Sequence, residues 1–173
     1  MNRRAVAAAL ALAAAIAGYL YWSSDERPIR RLLDAVADAV SQQEGEGGVA
    51  GLAEVAGLTR ALSPDATLEP GEPFRTITGA QEIVATVGRL RAVMPAVQLE
   101  LSDIEITVDA GAASVQATAR LTLRDRDGAA IDEVRDVRLT LEKRDAGWVI
   151  TAARASAVQR NAARTSSPAA PHA

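Results

Sequence analysis

Ala113-Ser114-Val115-Gln116-Ala117-Thr118-Ala119-Arg120-Leu121-Thr122-Leu123-Arg124 alternates aliphatic with polar side chains without a fault. Successive side chains of a β-strand point to opposite faces, so a run of period two reads as a strand with one buried and one solvated face. The flanking stretches repeat the pattern. Val97, Leu99 and Leu101 alternate with Gln98 and Glu100, the phase slips at Ser102-Asp103, and Ile104, Ile106 and Val108 carry on. Such a one-residue slip predicts a β-bulge. Asp109-Ala110-Gly111 and Asp127-Gly128 predict the next two turns. Ile131 and Val134, then Val137, Leu139 and Leu141, make a third long strand, also with a slip. Asp145-Ala146-Gly147 turns into a fourth that starts at Trp148, Ile150 and Ala152. The result is a four-strand antiparallel meander with Gln116, Thr118, Arg120, Thr122, Arg124, Arg138, Thr140 and Glu142 on its outer face.

Ahead of the meander the period is helical. Ile29, Leu32, Leu33, Val36 and Val40 form one stripe of a helix from Pro28 to about Glu44, capped by Asp25 or Ser24 and ended by Gly45 and Gly47-Gly48. Leu52, Val55 and Leu58 mark a weaker helix from Val49 to Leu62, stopped by Ser63-Pro64-Asp65. Residues Ala66 to Thr78 hold Pro70, Gly71 and Pro73 and read as a loop with a short edge strand around Phe74-Arg75-Thr76-Ile77. Ile83, Val84, Val87 and Leu90 are the stripe of a third helix, from Gly79 or Ala80 to about Met94, which Pro95 terminates. The fold class is α+β: three N-terminal helices packed on a curved antiparallel meander whose apolar face they cover.

The N-terminus reads differently. Asn2-Arg3-Arg4 opens an unbroken apolar run from Ala5 that closes on Tyr19-Leu20-Tyr21-Trp22. Tyr and Trp concentrate where a membrane helix leaves the hydrocarbon. The run is about 27 Å of helix at ~1.5 Å per residue, just enough to span a ~30 Å hydrocarbon core. One transmembrane helix is therefore expected before the domain. Its alanine-rich make-up keeps a cleaved signal peptide as an alternative, with small-residue sites at Ala13-Ala14-Ala15 and Ala15-Ile16-Ala17. The expected organisation is a basic head over 1–4, an anchor or uncleaved signal over 5–22, a linker over 23–28, an α+β domain over 29–157 and a flexible tail over 158–173. The basic head favours a cytoplasmic N-terminus, although Arg27, Arg30 and Arg31 lie on the other side.

Composition narrows the chemistry. The net charge is −3, and every acid lies beyond the apolar run, so a basic face for nucleic acid is not expected. There is no cysteine, which excludes disulfides and thiolate metal sites. Among the five aromatics (two Trp, two Tyr, one Phe), both Tyr precede the domain, and the only His is His172 in the tail.

The order of several short motifs resembles the nuclear transport factor 2-like superfamily, the cystatin-like cone of SnoaL-like and ketosteroid-isomerase-like domains. The matching pieces are Leu62-Ser63-Pro64-Asp65-Ala66, Gly79-Ala80-Gln81-Glu82-Ile83, Ala113-Ser114-Val115, and the closing run from Leu141 through Gly147-Trp148-Val149-Ile150. The resemblance spans about Ile29 to Ala155. It implies a cone with a lined interior, and a fold that hosts enzymes, ligand binders and assembly modules alike.

Enzymes of the superfamily resemble one another in lining the cone with Asp, Tyr or His. A Tyr–Asp oxyanion arrangement or a His–Asp pair has no residues to build it here. Carboxylates remain: Asp65, Glu69 and Glu72 near the expected mouth, and Asp103 at the bulge, each readable also as a solvated loop residue. The interior reads either as a packed core or as an apolar pocket whose candidate ligand-contacting residues are Phe74, Ile83, Val87 and Trp148. Arg120, Arg138 and Thr140 on the outer face are interface candidates, for a homodimer or a membrane-protein partner, against the alternative of a solvated surface. No cofactor or metal is expected. The expected function is a membrane-anchored, non-enzymatic binding or assembly module, resembling anchored cone-fold parts of bacterial secretion and transport machines. Its place would be the inner membrane, with the domain periplasmic or extracellular. The alternative is a SnoaL-like hydrolase or isomerase acting on an apolar molecule through Asp65 or Asp103.

Overall fold

The meander forms where the period-two runs predict it. The structure is a computed structural model that describes residues 25–43 and 49–158. A helix over residues 25–40 (α1) is followed by α2 (Val49–Ala61), β1 (Leu62–Glu69), β2 (Ile77–Thr78) and α3 (Ala80–Val93). Then come β3 (Ala96–Asp109), β4 (Ala112–Arg124), β5 (Ala130–Arg144) and β6 (Gly147–Ala157). The expected bulge lies between Ser102 and Glu105, with Asp103 at φ 51°. The Ala110-Gly111 turn has positive φ at both residues, as a tight hairpin with right-handed twist requires.

The expected layout of three N-terminal helices ahead of a four-strand sheet is overturned. The sheet has six strands in the order β2-β1-β6-β5-β4-β3, and β1 and β2 come before α3. Residues 62–69, read as a helix end and a loop, are strand β1, which runs parallel to β6. Pro64 does not prevent this, because the β1–β6 register is interrupted between Leu62 and Thr67 and no ladder N–H is needed there. Ser63 and Ala66 are buried from this stretch, so burial beside β6 overrides its turn-like composition. The short edge strand is Ile77–Thr78, slightly later than expected. Among the described residues no helix is long and apolar enough to cross a membrane. The anchor or signal expected over 5–22, and the tail beyond Val158, lie outside the described residues.

A second correction concerns β5. The slip expected between Ile131 and Val137 is absent: β5 pairs with β4 without interruption from Ala130↔Arg124 to Glu142↔Ala112. The irregularity falls between β5 and β6 instead, where Thr140 pairs Ala152 and Leu141 pairs Ile150, passing over Thr151. Period two then carries Glu133 and Arg135 to the face shared by Val137, Leu139 and Leu141, and turns Val134 outward.

The helices cover that face. Ile29 and Leu33 of α1 pack with Ala113, Val115, Leu141, Trp148 and Ile150 into a core at one end of the cone. Asp25, expected as a helix cap, pairs instead with Lys143 at 2.7 Å. Helix α1 stops at 40 rather than near Glu44, because Ser41 and Gln42 turn to the sheet. The Ser41 hydroxyl donates to the Ala37 carbonyl (2.8 Å) and accepts the Leu99 N–H (3.0 Å). Gln42 exchanges two backbone hydrogen bonds with Val97, at 2.7 and 2.9 Å, which covers part of the β3 edge. Arg91, 6% exposed, locks α3 to the end of α1: Nη1 donates to the Ala39 carbonyl (2.8 Å) and Nε to Gln42 Oε1 (2.9 Å).

Strand β1 is tied to β6 by Glu69 and Arg154, register partners joined by two hydrogen bonds of 2.7 and 3.0 Å. The hydrogen bond from Arg154 holds the Glu69 carboxyl below its ordinary value of 4.5. A depressed acid contributes stability above its unfolded value and loses it as pH falls through its folded value. The melting temperature of the native chain should therefore exceed that of Glu69→Gln at pH 7, with the gap closing below about pH 4.5. Calorimetry of both proteins from pH 7 to 3 checks this, and a gap that is constant with pH would refute the assignment. The pair is exposed, so the gap is modest.

Candidate functional site

Protein interiors are close-packed, and voids much larger than a water molecule are few. Between the helices and the sheet lies a cavity of about 340 Å³. That volume falls within the ~300–1,000 Å³ typical of ligand pockets. Its walls are Leu33, Val36 and Val40 of α1, Leu58 of α2, Ile83, Val87 and Leu90 of α3, and inward residues of the sheet. The space has a cause in the sequence. Ala119, Ala153 and Ala155 all line it, each paired across the sheet with a larger residue: Leu101, Leu139 and Val137. Alanine at these inward positions leaves room that leucine or valine would fill.

One end of the cavity is formed by Pro70, Phe74, Glu133, Arg135 and Ala155. Phe74 is 62% exposed there, an amount unusual for the single Phe of the chain. Glu133 and Arg135 are the charged members of the lining. Nε of Arg135 donates to Glu133 Oε1 at 2.8 Å, and Nη2 donates to the same oxygen. Nη2 also reaches the carbonyl of Glu72 at 3.4 Å. Gly71, at φ 81°, lets the loop approach this guanidinium: a Cβ there would stand 2.9 Å from Arg135 Nη1 and 3.0 Å from the Ala155 carbonyl.

Of the expected pocket residues, Phe74, Ile83 and Val87 line the cavity. Trp148 does not; it is 6% exposed in the packed core at the other end, with Lys143 Nζ 5.8 Å from its ring centre. The expected carboxylates are also elsewhere. Asp65 is exposed, and a hydrogen bond from the buried Ser63 hydroxyl, which itself accepts from Arg144 at 2.9 Å, lowers its pKa. Asp103 sits on the outside of the sheet at a polar groove with Glu105, Gln116, Asp136, Arg138 and Arg154. Glu69 is taken by Arg154, and Glu72 is exposed. The interface candidates Arg120, Arg138 and Thr140 are all exposed on the outer face, with Arg120 3.9 Å from Asp132. Among the described residues no group of His, Cys, Asp and Glu is arranged to hold a metal. The sequence reading missed Glu133 and Arg135 because it placed a slip at Val134. No local signal in the sequence points to them, because Ile131, Val134 and Val137 break the period-two pattern and only the continuous pairing with β4 restores it.

The profile of the SnoaL-like domain family matches residues 23–154. No curated protein matches the chain. An NTF2-like protein with a cystatin-like fold from Novosphingobium aromaticivorans is 19% identical, with a TM-score of 0.65 over 86% of this chain and 91% of its own. A protein proposed to be an aromatic ring hydroxylase, from the same organism, is 18% identical, with a TM-score of 0.66 over 78% and 90%. A proposed dehydratase of the NTF2-like family from Streptomyces avermitilis is 16% identical, with a TM-score of 0.62 over 79% and 98%. At these identities the likeness is one of fold.

Proposed function

The chain belongs to the SnoaL-like domain family, and we propose that within it this member binds an apolar small molecule in its cone cavity without transforming it. The observation that carries this reading is the cavity itself: about 340 Å³ of space walled mainly by aliphatic side chains, with one charged pair at the Phe74 end. Burying apolar surface yields roughly 0.8 kcal/mol per methylene, so an aliphatic body of about eight to ten carbons contributes roughly 6–8 kcal/mol, a Kd of about 1–20 µM before ordering costs are deducted.

The alternative, a hydrolase or isomerase working through a carboxylate, has weaker support. Asp65 and Asp103 are solvent-exposed and line no part of the cavity. Glu133 is the carboxylate on its wall, and Arg135 already holds one of its oxygens.

A fluorescence titration with the neutral probe N-phenyl-1-naphthylamine tests the proposal. One saturable site with a Kd of about 1–30 µM is expected. Linear, non-saturating enhancement would refute it, and turnover of a bound apolar ester or ketone would replace it with the enzymatic reading.

A further inference from the structure

Glu133 and Arg135 set an anion and a cation side by side on a wall that is otherwise apolar apart from Thr67, and their hydrogen bonding is incomplete. Nε and Nη2 of Arg135 both go to Oε1 of Glu133. Among the described residues, Nη1 of Arg135 and Oε2 of Glu133 make no hydrogen bond. The pair therefore has no net charge, and it keeps one donor edge and one acceptor oxygen unused.

That combination discriminates between head groups. The pair stands at an open end of the cavity, with the Glu133 side chain 42% exposed, and an ionised carboxylate or ammonium brought to it meets one attractive and one repulsive neighbour, so its charge gains little there. An ether accepts but cannot donate, so Oε2 stays unused. A hydroxyl or primary amide can accept from the guanidinium and donate to the carboxylate, so both unused positions are engaged at once.

We propose that the ligand is a neutral amphiphile whose aliphatic body fills the cavity and whose single hydroxyl or amide end meets the Glu133–Arg135 pair. This inference rests on the binding reading above and adds the class of ligand to it. Selection comes from the unused hydrogen-bonding positions and not from hydrophobicity, so the preference runs against partition into an apolar phase.

Displacement of N-phenyl-1-naphthylamine at pH 7 separates these terms. 1-Decanol should displace the probe at about tenfold lower concentration than its more apolar isomer 1-methoxynonane, and below decanoate and decylammonium as well. In the Glu133→Leu/Arg135→Met double variant the order of alcohol and ether should reverse, with probe affinity kept as the sign that the cavity is intact. In Glu133→Gln, decanoate should gain about tenfold relative to decanol, since its repulsive neighbour is gone. Equal displacement by alcohol and ether in the native chain, or an alcohol preference that survives the double variant, would overturn the inference while leaving cavity binding in place. A chain that does not bind the probe at all would overturn both.

Discussion

Replacing Arg91 with alanine is expected to lower the free energy of unfolding by about 3 kcal/mol, from desolvated acceptors and lost packing together. Arg91 is 6% exposed, and its guanidinium donates to the Ala39 carbonyl and to Gln42 Oε1. The Ala39 carbonyl belongs to the last turn of α1, where helical carbonyls have no partner within the helix and a cation is favoured. Removing the donor strands these acceptors at roughly 1–3 kcal/mol each when buried, and the loss of the long stem opens a gap beside α3. Arg91→Met keeps most of the stem and should recover part of the loss, which separates packing from hydrogen bonding. Urea denaturation of the three proteins measures both. A difference below about 1 kcal/mol for Arg91→Ala would show that water replaces the guanidinium without cost. Small domains have only about 5–15 kcal/mol in total, so the expected loss is a large share of the fold's stability.

Ala119→Trp is expected to weaken binding of N-phenyl-1-naphthylamine by at least about 30-fold, while leaving the chain folded. Ala119 faces the cavity from β4, opposite Leu101 on β3 and Arg135 on β5. An indole there projects into existing space, so it adds buried apolar contact and does not overpack a filled core. The same substitution in a close-packed interior would cost about 1–3 kcal/mol through strain. Stability and binding should thus move independently: the melting temperature holds or rises, and the saturable probe signal disappears. Unchanged probe affinity would place the probe outside the cavity. A large fall in melting temperature would mean that the space at Ala119 closes in solution.

Much of the architecture was legible because it is written in local periods. Alternation set β3, β4 and the start of β6, the one-residue slip at Ser102-Asp103 set the bulge, and Gly at positive φ marked the turns. Helix α3 was legible from its stripe and from Pro95. The failures share one physical origin. At Ser63-Pro64-Asp65 the local signal is a turn, yet the segment forms a strand because β6 offers an unpaired edge and the register breaks where proline would interrupt it. At Val134 the local signal is a slip that keeps every apolar residue inside, yet continuous hydrogen bonding to β4 holds the phase and sends Glu133 and Arg135 inward. By itself the sequence determined helix α3 and the long strands β3 to β6, and that the enclosed face is apolar, because those properties depend on neighbours a few residues apart. Only the tertiary structure decided that this face encloses a cavity, that Trp148 packs into the core at the opposite end, and that one ion pair stands at the cavity wall. Those depend on which distant strand pairs with which, and a single residue of register moves a charge from the outer face of the sheet to the cavity wall.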